Sequence, residues 1–317
     1  MCAVFGFLDY KRIISNSILK RLIKNLAVAA EERGTDATGI SYVRKGEIVT
    51  YKKPKPAHKV RLFFPEGTAA VTGHTRMTTQ GSESRNCNNH PFEGSCGTEK
   101  FALAHNGVLY NDRELRRENN LPATQIETDS YIAVQLLEQG EHLDTANIKR
   151  MAEMVDGSFV FTILKNDNTL FLVKGSNPLT IYHFQGLGLY VYASTKSILN
   201  KALKKSALTC EFCEIDVSEG DIIEISPDGK ISRSTFEVKE KYHSFLNPYR
   251  WDISGWYGTD DIEEDDLLAI CNCFGVDRED VEFLYSCGYT PDEIEEMLFD
   301  TDLFEETLNE VKTLLKC

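Results

Sequence analysis

The chain of 317 residues contains no uninterrupted apolar run of the roughly 18 or more residues that a membrane-spanning helix needs, so no membrane segment is expected. Its apolar start, Val4 to Leu8, is short, follows no basic leader and runs straight into Asp9-Tyr10-Lys11-Arg12, which argues against a secretory signal. A disulfide framework is missing too. The cysteine count of nine is odd and the spacing scattered, which fits a reducing, cytoplasmic setting. There is no G-x-x-x-x-G-K-[ST] loop to cradle a nucleotide phosphate. There is also no basic stripe interleaved with aromatics: Lys52-Lys53-Pro54-Lys55-Pro56 is broken by proline and reads as a solvated loop, so no nucleic-acid partner is expected. His74, His90 and His105 match no zinc spacing and read as hydrogen-bonded structural histidines, leaving no metal and no cofactor to expect. Cys210-Glu211-Phe212-Cys213 lacks a second pair and reads as a strand carrying two small apolar residues. Cys271, Cys273, Cys287 and Cys317 fall at no ligand spacing and read as core or surface thiols.

Basic residues are nearly absent from one end. Residues 260–317 hold 19 Asp and Glu against 3 Lys and Arg, whereas the rest holds 30 against 32, so the whole net charge of −14 arises in the tail. Such asymmetry marks a change of role along the chain. The expected division is therefore 2–238 as one large domain, 239–259 as a connector that Trp251 and Trp256 pin to a surface, and 260–317 as an acidic helical module able to dock a basic protein partner.

What the sequence does contain begins at position two. If the initiator methionine is removed, Cys2 becomes the first residue and unites a thiol nucleophile with a free α-amine whose reference pKa, roughly 7.7–8.0, suits proton transfer near neutrality. The competing reading is a small buried cysteine that follows Met1. Other polar segments are equally pointed: Arg33-Gly34-Thr35-Asp36, Gly73-His74-Thr75-Arg76, Thr78-Thr79-Gln80-Gly81, Asn88-Asn89-His90-Pro91, Ala104-His105-Asn106-Gly107 and Glu127-Thr128-Asp129-Ser130. An Asn side-chain amide and a Gly main-chain N–H can converge on one developing oxyanion, which suits Asn106-Gly107 to that task. The same dipeptide after Phe101 to Ala104 is also a hairpin-turn signal. Thr128-Asp129 ahead of Tyr131, Ile132, Val134 and Leu136 reads, taken alone, as a capped helix start.

In order and spacing these segments resemble the class II glutamine amidotransferases, N-terminal-nucleophile hydrolases such as the glutaminase domain of glucosamine-6-phosphate synthase. The likeness covers about Cys2 to Val238. It implies glutamine as substrate, with Arg76 on its α-carboxylate, Asp129 on its α-ammonium and Thr79 among the substrate contacts. An Arg fork fits a carboxylate bidentately, which is the alternative to a plain surface ion pair. Arg33 and Asp36, otherwise a loop ion pair, take supporting roles near Cys2, as do His74 and His90. The chain departs from the family where Met77 replaces a frequent Trp and Gln80 a frequent His, positions over bound glutamine and toward an acceptor site.

Patterning along the chain supplies the architecture. Cys2 to Leu8 reads as a buried strand; Ile18, Leu19, Leu22, Ile23, Leu26 and Ala30 as a helix ending near Gly34. Gly39 to Tyr42 with Glu47 to Tyr51, Phe159 to Leu164 with Thr169 to Val173, and Thr180 to Phe184 with Leu189 to Tyr192 read as hairpins, and Asp221 to Ile225 begins a third in that region. In the tail, helices are expected over Glu263 to Phe274, from an Asp277 cap to Gly288, after the Thr290-Pro291-Asp292-Glu293 capping box, and through Leu303, Phe304, Leu308, Val311 and Leu315. That tail weakly resembles ubiquitin-associated-type bundles, from which no function is carried over. The expected fold is α+β: antiparallel sheets covered by helices, specifically the four-layer α/β/β/α sandwich the resemblance implies, with a small C-terminal helical module. The expected function is hydrolysis of the glutamine side-chain amide to glutamate and ammonia through a Cys2 thioester. The tail is too short for a synthase, so the ammonia acceptor would be a separate enzyme. The alternatives are a hydrolase of another γ-glutamyl or amide compound, and a non-catalytic regulatory protein that binds a basic partner through the tail.

Overall fold

The computed structural model describes residues 2–238, apart from 207 and 209, and in the C-terminal part residues 276–287, 289, 294, 297 and 301–314. The chain divides into two units, Met1–Val238 and Lys239–Cys317.

The first unit opens with strand β1 (Ala3–Asp9), buried along its whole length, so it has no polar face to spare. Its odd-numbered Ala3, Phe5 and Phe7 point into a core shared with helix α1 (Asn16–Ala29), whereas Val4 and Leu8 enter a different core. This period-two split is the signature of a strand covered on both sides. β1 pairs with β4 (Ala70–Arg76) and β10 (Leu189–Ala193). The sheet is completed by β2 (Ala37–Arg44), β3 (Glu47–Lys53), β9 (Thr180–Phe184) and β11 (Cys213–Ile215), in the order β11-β9-β10-β1-β4-β2-β3. Helix α5 (Lys196–Lys204), capped by the Thr195 hydroxyl on the Ile198 N–H, joins α1 on its outer face.

A second sheet runs β13-β12-β8-β7-β6-β5. Its members are β5 (Phe92–Cys96), β6 (Glu99–Leu109), β7 (Gly157–Lys165), β8 (Leu170–Lys174), β12 (Asp221–Ile225) and β13 (Ile231–Thr235). Among the described residues every ladder in both sheets is antiparallel. On β7, Phe159, Phe161 and Ile163 face the core under α3 (Tyr131–Glu138) and α4 (Thr145–Met154), while Val160 and Leu164 face the core between the sheets. The short α2 (Asp112–Glu118) contributes Leu115 to the former. Helix, sheet, sheet and helix are thus held by three apolar interfaces, and the α+β four-layer sandwich of antiparallel sheets is the fold. Polar ties cross its middle: Thr72 and Thr162 hydroxyls meet at 2.8 Å, and the Tyr192 hydroxyl donates to Thr72 at 3.0 Å.

Three sequence expectations need correction here. Asn106-Gly107 makes no hairpin turn; both lie inside β6, paired opposite Val160 and Phe159 of β7. Cys210 and Cys213 are exposed, and only Cys213 enters a strand, because β11 is a three-residue edge whose neighbour Phe212 supplies the packing on Tyr182 at 4.2 Å. Lys52 is no solvated loop charge: it lies within β3, one residue before its end, and its ammonium reaches the carbonyls of Asn89 and Pro91.

In the second unit, α6 (Arg278–Ser286) starts where the Asp277 carboxylate accepts the Glu279 N–H, and α7 (Thr301–Leu314) follows. Val281, Leu284, Ile294, Met297, Phe304 and Leu308 form a small core, beside which Lys312 pairs with Asp280 at 2.5 Å. The expected connector, the Glu263 to Phe274 helix, the Thr290 to Glu293 cap, and Cys271, Cys273 and Cys317 lie outside the described residues. Among the described residues no helix is long and apolar enough to cross a membrane.

Candidate active site

Antiparallel pairing sets Ala3 opposite Thr75, which brings Cys2 level with Arg76 where β4 ends. The half-buried Cys2 thiol lies 3.4 Å from both the N–H and the carbonyl oxygen of Met77. Burial pushes the thiol pKa up; the Met77 N–H and the Arg76 guanidinium pull it down, and the Asp129 carboxylate pushes it up. A thiol raised in this way is a weak nucleophile until a base takes its proton.

The segment after α1 wraps this corner. Arg33 donates through Nε to the Cys2 carbonyl at 2.9 Å. Asp36 donates its main-chain N–H to the Arg76 carbonyl at 2.9 Å, and its carboxylate accepts the Thr78 N–H at 2.7 Å. Between them, Gly34 packs so closely that a Cβ there would stand 2.5 Å from the Arg76 carbonyl carbon, so only glycine fits. Arg33 and Asp36 thereby fix the backbone on both sides of the thiol.

Arg76 is buried, and its Nη1 donates to Asn89 Oδ1 at 2.8 Å while Nη2 donates to the carbonyls of Gln80 at 2.5 Å and Gly81 at 3.0 Å. Thr79 sits exposed on the loop between these contacts, and the Met77 side chain is 51% exposed. Asp129 is also buried, just ahead of α3. Its carboxylate does not cap that helix: it accepts the Leu109 N–H at 2.6 Å and the Ser130 hydroxyl at 3.3 Å. The cap expected of Thr128 is likewise absent, since its hydroxyl is buried without a hydrogen-bond partner and Ser130 occupies the N-cap position. Burial pushes the Asp129 carboxyl up, and the N–H groups of Leu109 and Ser130 work against that. A buried carboxylate in this state gains from an ammonium brought beside it.

Asn106 is buried on β6 and its Nδ2 has no hydrogen-bond partner among the described residues, whereas its main-chain carbonyl accepts Asn177 Nδ2 at 2.9 Å. An unpartnered buried amide donor is costly unless something arrives to accept its proton. Gly107 has φ of +148°, and a Cβ there would meet the Ser158 carbonyl at 1.9 Å. Glycine lets the strand continue through a conformation closed to other residues. β6 is brought to the Cys2 corner by the histidines. His74 Nε2–H donates to the His105 carbonyl at 2.9 Å, one residue from Asn106, and His105 Nδ1 meets the Ser130 hydroxyl at 2.8 Å beside Asp129. The His90 ring centroid lies 4.2 Å from that of His74 with the planes tilted by 33°, and among the described residues neither His90 ring nitrogen has a hydrogen-bond partner. Burial lowers all three: His74 and His105 to about 3, and His90 well below the usual histidine range. His74 and His105 are the hydrogen-bonded structural histidines expected from sequence, whereas His90, expected to be one too, is held by ring packing alone among the described residues, because no donor or acceptor reaches it between His74 and Phe92. Among the described residues no three His, Cys, Asp or Glu side chains group as a metal site.

Sequence reasoning gave no role to Asn89 or Ser130, noticed Gln80 only as a departure from the family pattern over bound glutamine, and read Lys52 as a solvated loop charge. Lys52 Nζ donates to the carbonyls of Asn89 at 2.5 Å and Pro91 at 3.0 Å, behind the residue that holds Arg76, with its pKa lowered to about 8 chiefly by burial. Asn89 was available as a signal in Asn-Asn-His-Pro; Lys52, lying in a basic proline-broken stretch, was not.

Comparison with known proteins finds relatives for part of the chain. Residues 74–201 match the family model of a glutamine amidotransferase domain. The glutamine–fructose-6-phosphate aminotransferase (isomerizing) of Bacillus thuringiensis subsp. konkukian is 32% identical over 193 residues, covering 57% of this chain and 30% of that protein. Its counterpart in Staphylococcus aureus is 28% identical over 248 residues, covering 73% of this chain and 38% of that one. The chain thus spans less than half the length of these curated relatives. Two solved structures share the fold over 74% of this chain and 49% of theirs. They are the glutamine phosphoribosylpyrophosphate amidotransferase of B. subtilis (TM-score 0.57, 22% identity) and an allosteric regulatory enzyme of purine biosynthesis (TM-score 0.59, 21% identity).

Proposed function

We propose that this chain carries a class II glutamine amidotransferase domain of the N-terminal-nucleophile type, a reading its match over residues 74–201 and its 32% identical relative support, and that it hydrolyses the side-chain amide of glutamine and releases ammonia for an acceptor enzyme on a separate chain. One observation carries the reading: Cys2 stands level with Arg76 at the end of β4, and Arg76 and Asp129, opposite charges rooted in different layers of the sandwich, are tied to one another through Gln80. Free glutamine presents a carboxylate, an ammonium and a distant amide, and a site that holds the two charges can fix the amide at the thiol.

With Met1 removed, the Cys2 α-amine takes the thiol proton as sulfur attacks the amide carbon. The negative oxygen that forms accepts hydrogen bonds from Asn106 Nδ2 and the Gly107 N–H. The protonated amine then gives its proton to the leaving nitrogen, ammonia departs, and a γ-glutamyl thioester remains. Water, deprotonated by the same amine, attacks the thioester carbon and frees glutamate and the thiol. Arg76 holds the α-carboxylate and Asp129 the α-ammonium, with Thr79 on the loop beside them. Arg33, Asp36, His74 and His90 hold the walls.

Met77 and Gln80, which depart from the family pattern, stand at the wall over bound glutamine, and which acceptor the ammonia reaches is not assigned. The tail's charge supports a basic protein as its partner, and the free cysteines support a cytoplasmic location. The decisive experiment is incubation with an electrophilic glutamine analogue followed by mass analysis. A single adduct on Cys2, with glutaminase activity lost in proportion, is the expected result; labelling elsewhere, or none with activity intact, would end the reading.

A further inference from the structure

Arg76 and Asp129 must present their charges to two groups borne by one substrate carbon, yet they belong to different sheets' worth of structure. Arg76 closes β4 of the seven-stranded sheet. Asp129 precedes α3, which packs on the six-stranded sheet. Something must fix the spacing between them.

One residue touches both. The Gln80 carbonyl accepts Arg76 Nη2 at 2.5 Å, and the Gln80 side-chain Oε1 accepts the main-chain N–H of Asp129 at 3.2 Å. A main-chain N–H demands an acceptor, so the amide can stand only with its oxygen toward Asp129. Farther along, the same loop is fastened to the same segment again. Asn88 Nδ2 donates to Glu127 Oε2 at 2.7 Å and Asn88 Oδ1 accepts the Glu127 N–H at 2.9 Å, while Arg85 pairs with the Glu127 carboxylate. The neighbouring Asn89 closes the circuit on Arg76. The loop from Met77 to Asn89 is therefore a strap between the cation and the anion, and Gln80 is its innermost rung.

Resting on the glutaminase reading, we infer that Gln80 is a positioning residue that sets the spacing between the carboxylate-binding and ammonium-binding ends of the site, and so makes the enzyme selective for a substrate carrying both groups. The two ends separate cleanly by mutation. The bond to Arg76 uses main-chain oxygen and survives any side-chain replacement. The bond to Asp129 uses the side chain and does not. Gln80→Met keeps the length and loses the acceptor, releasing only the ammonium end; Gln80→Glu keeps an acceptor at the same reach.

The test compares glutamine with 5-amino-5-oxopentanoate, which has the amide and the carboxylate but no α-amine, on full-length protein verified by mass to begin at Cys2. Gln80→Met is expected to raise KM for glutamine about five- to tenfold, the effect of one hydrogen bond, with kcat within about twofold. Its preference for glutamine over the amine-free compound should fall by a similar factor, because the latter never used Asp129. Gln80→Glu should return that preference toward wild type. A Gln80→Met enzyme with wild-type KM and preference overturns the inference, as does an equal loss for both compounds, which would mean a general loosening of the loop. Glutamine binding to Cys2→Ala, read by calorimetry with and without Gln80→Met, gives the same comparison without turnover. A wild-type chain that neither hydrolyses nor binds glutamine defeats the glutaminase reading itself, whereas wild-type turnover with an indifferent Gln80→Met defeats this inference alone.

Discussion

His74 Nε2 donates to the main-chain carbonyl of His105 at 2.9 Å, joining β4 of one sheet to β6 of the other a single residue from Asn106. This bond needs a proton on Nε2 and by itself favours the charged ring, but burial outweighs it and lowers the His74 pKa to about 3, so the ring that donates is neutral near pH 7.

Acid should therefore unfold the domain through its histidines. In the unfolded chain each of His74, His90 and His105 takes a proton near pH 6.5, whereas in the fold His74 and His105 resist until about 3 and His90 until well below its ordinary value. The unfolded state binds more protons in that window, so stability is complete above about pH 6.5 and falls as pH drops, by up to ~1.4 kcal/mol per pH unit for each ring. Asp129 works the other way, since burial raises its carboxyl. Melting temperature measured from pH 7.5 to 4.5 should decline steeply below 6, and His90→Leu should soften the decline. A flat profile would mean these rings are hydrated in solution.

The mature protein should begin at Cys2, because a Met-extended cysteine has no free amine beside its thiol. Intact mass of active protein checks this, and Met1 retained in a fully active preparation would rule out the amine as base. Cys2→Ala should abolish glutamate release while moving the melting temperature little, since the thiol contributes only weak contacts at 3.4 Å to Met77.

Binding and chemistry should separate by residue. Arg76→Ala and Asp129→Ala each remove a charge partner of the substrate and should chiefly raise KM, while Asn106→Ala should lower kcat by ~10²–10³ with KM little changed. Steady-state kinetics on the three variants decides it. An Asn106 variant with normal kcat and weakened binding would reverse the assignment.

Gly107→Ala should fail for a different reason. Its φ of +148° and the Ser158 carbonyl 1.9 Å from any added Cβ leave the strand no room, so β6 or β7 must shift. Destabilisation of about 2 kcal/mol or more, together with loss of activity, is expected in denaturant titration. Unaltered stability would show that the strand relaxes easily and that its conformation is not required.

These residues also show how far the sequence could be read. Local signals were legible: the doubly buried β1, the amphipathic α1, the β2–β3 hairpin with Lys45 and Gly46 at positive φ, and a thiol at position two. Misreadings came where a distant contact overrode a local preference. Asn106-Gly107 is a turn signal in isolation, yet nine residues of β7 pair across β6 and carry the strand through it. Thr128-Asp129 should cap a helix, but the Leu109 N–H, twenty residues back, takes the carboxylate. Lys52 belongs by composition to solvent, and only the fold brings the carbonyls of Asn89 and Pro91 to it. Gln80 drew notice only as a departure from a family pattern, since nothing local reveals that its two ends reach Arg76 and Asp129.

The tail supplies the last prediction. Residues 260–317 hold 19 acidic against 3 basic side chains, whereas residues 1–238 form a unit with its own three apolar cores. Every group assigned to the chemistry, from Cys2 to Asp129, lies within that unit. A chain ending at Gly258 should therefore keep glutaminase activity within a few-fold of full length. The tail's attraction for a basic protein should weaken as salt rises from 50 to 500 mM, because exposed charges are screened beyond about 8–10 Å near physiological ionic strength. Activity assays on the shortened chain and salt-dependent binding of full-length protein to a lysine-rich partner check the two halves separately. A shortened chain that is folded by circular dichroism yet inactive would show that the tail completes the site, and binding insensitive to salt would show that its apolar helix faces, rather than its charge, make the contact.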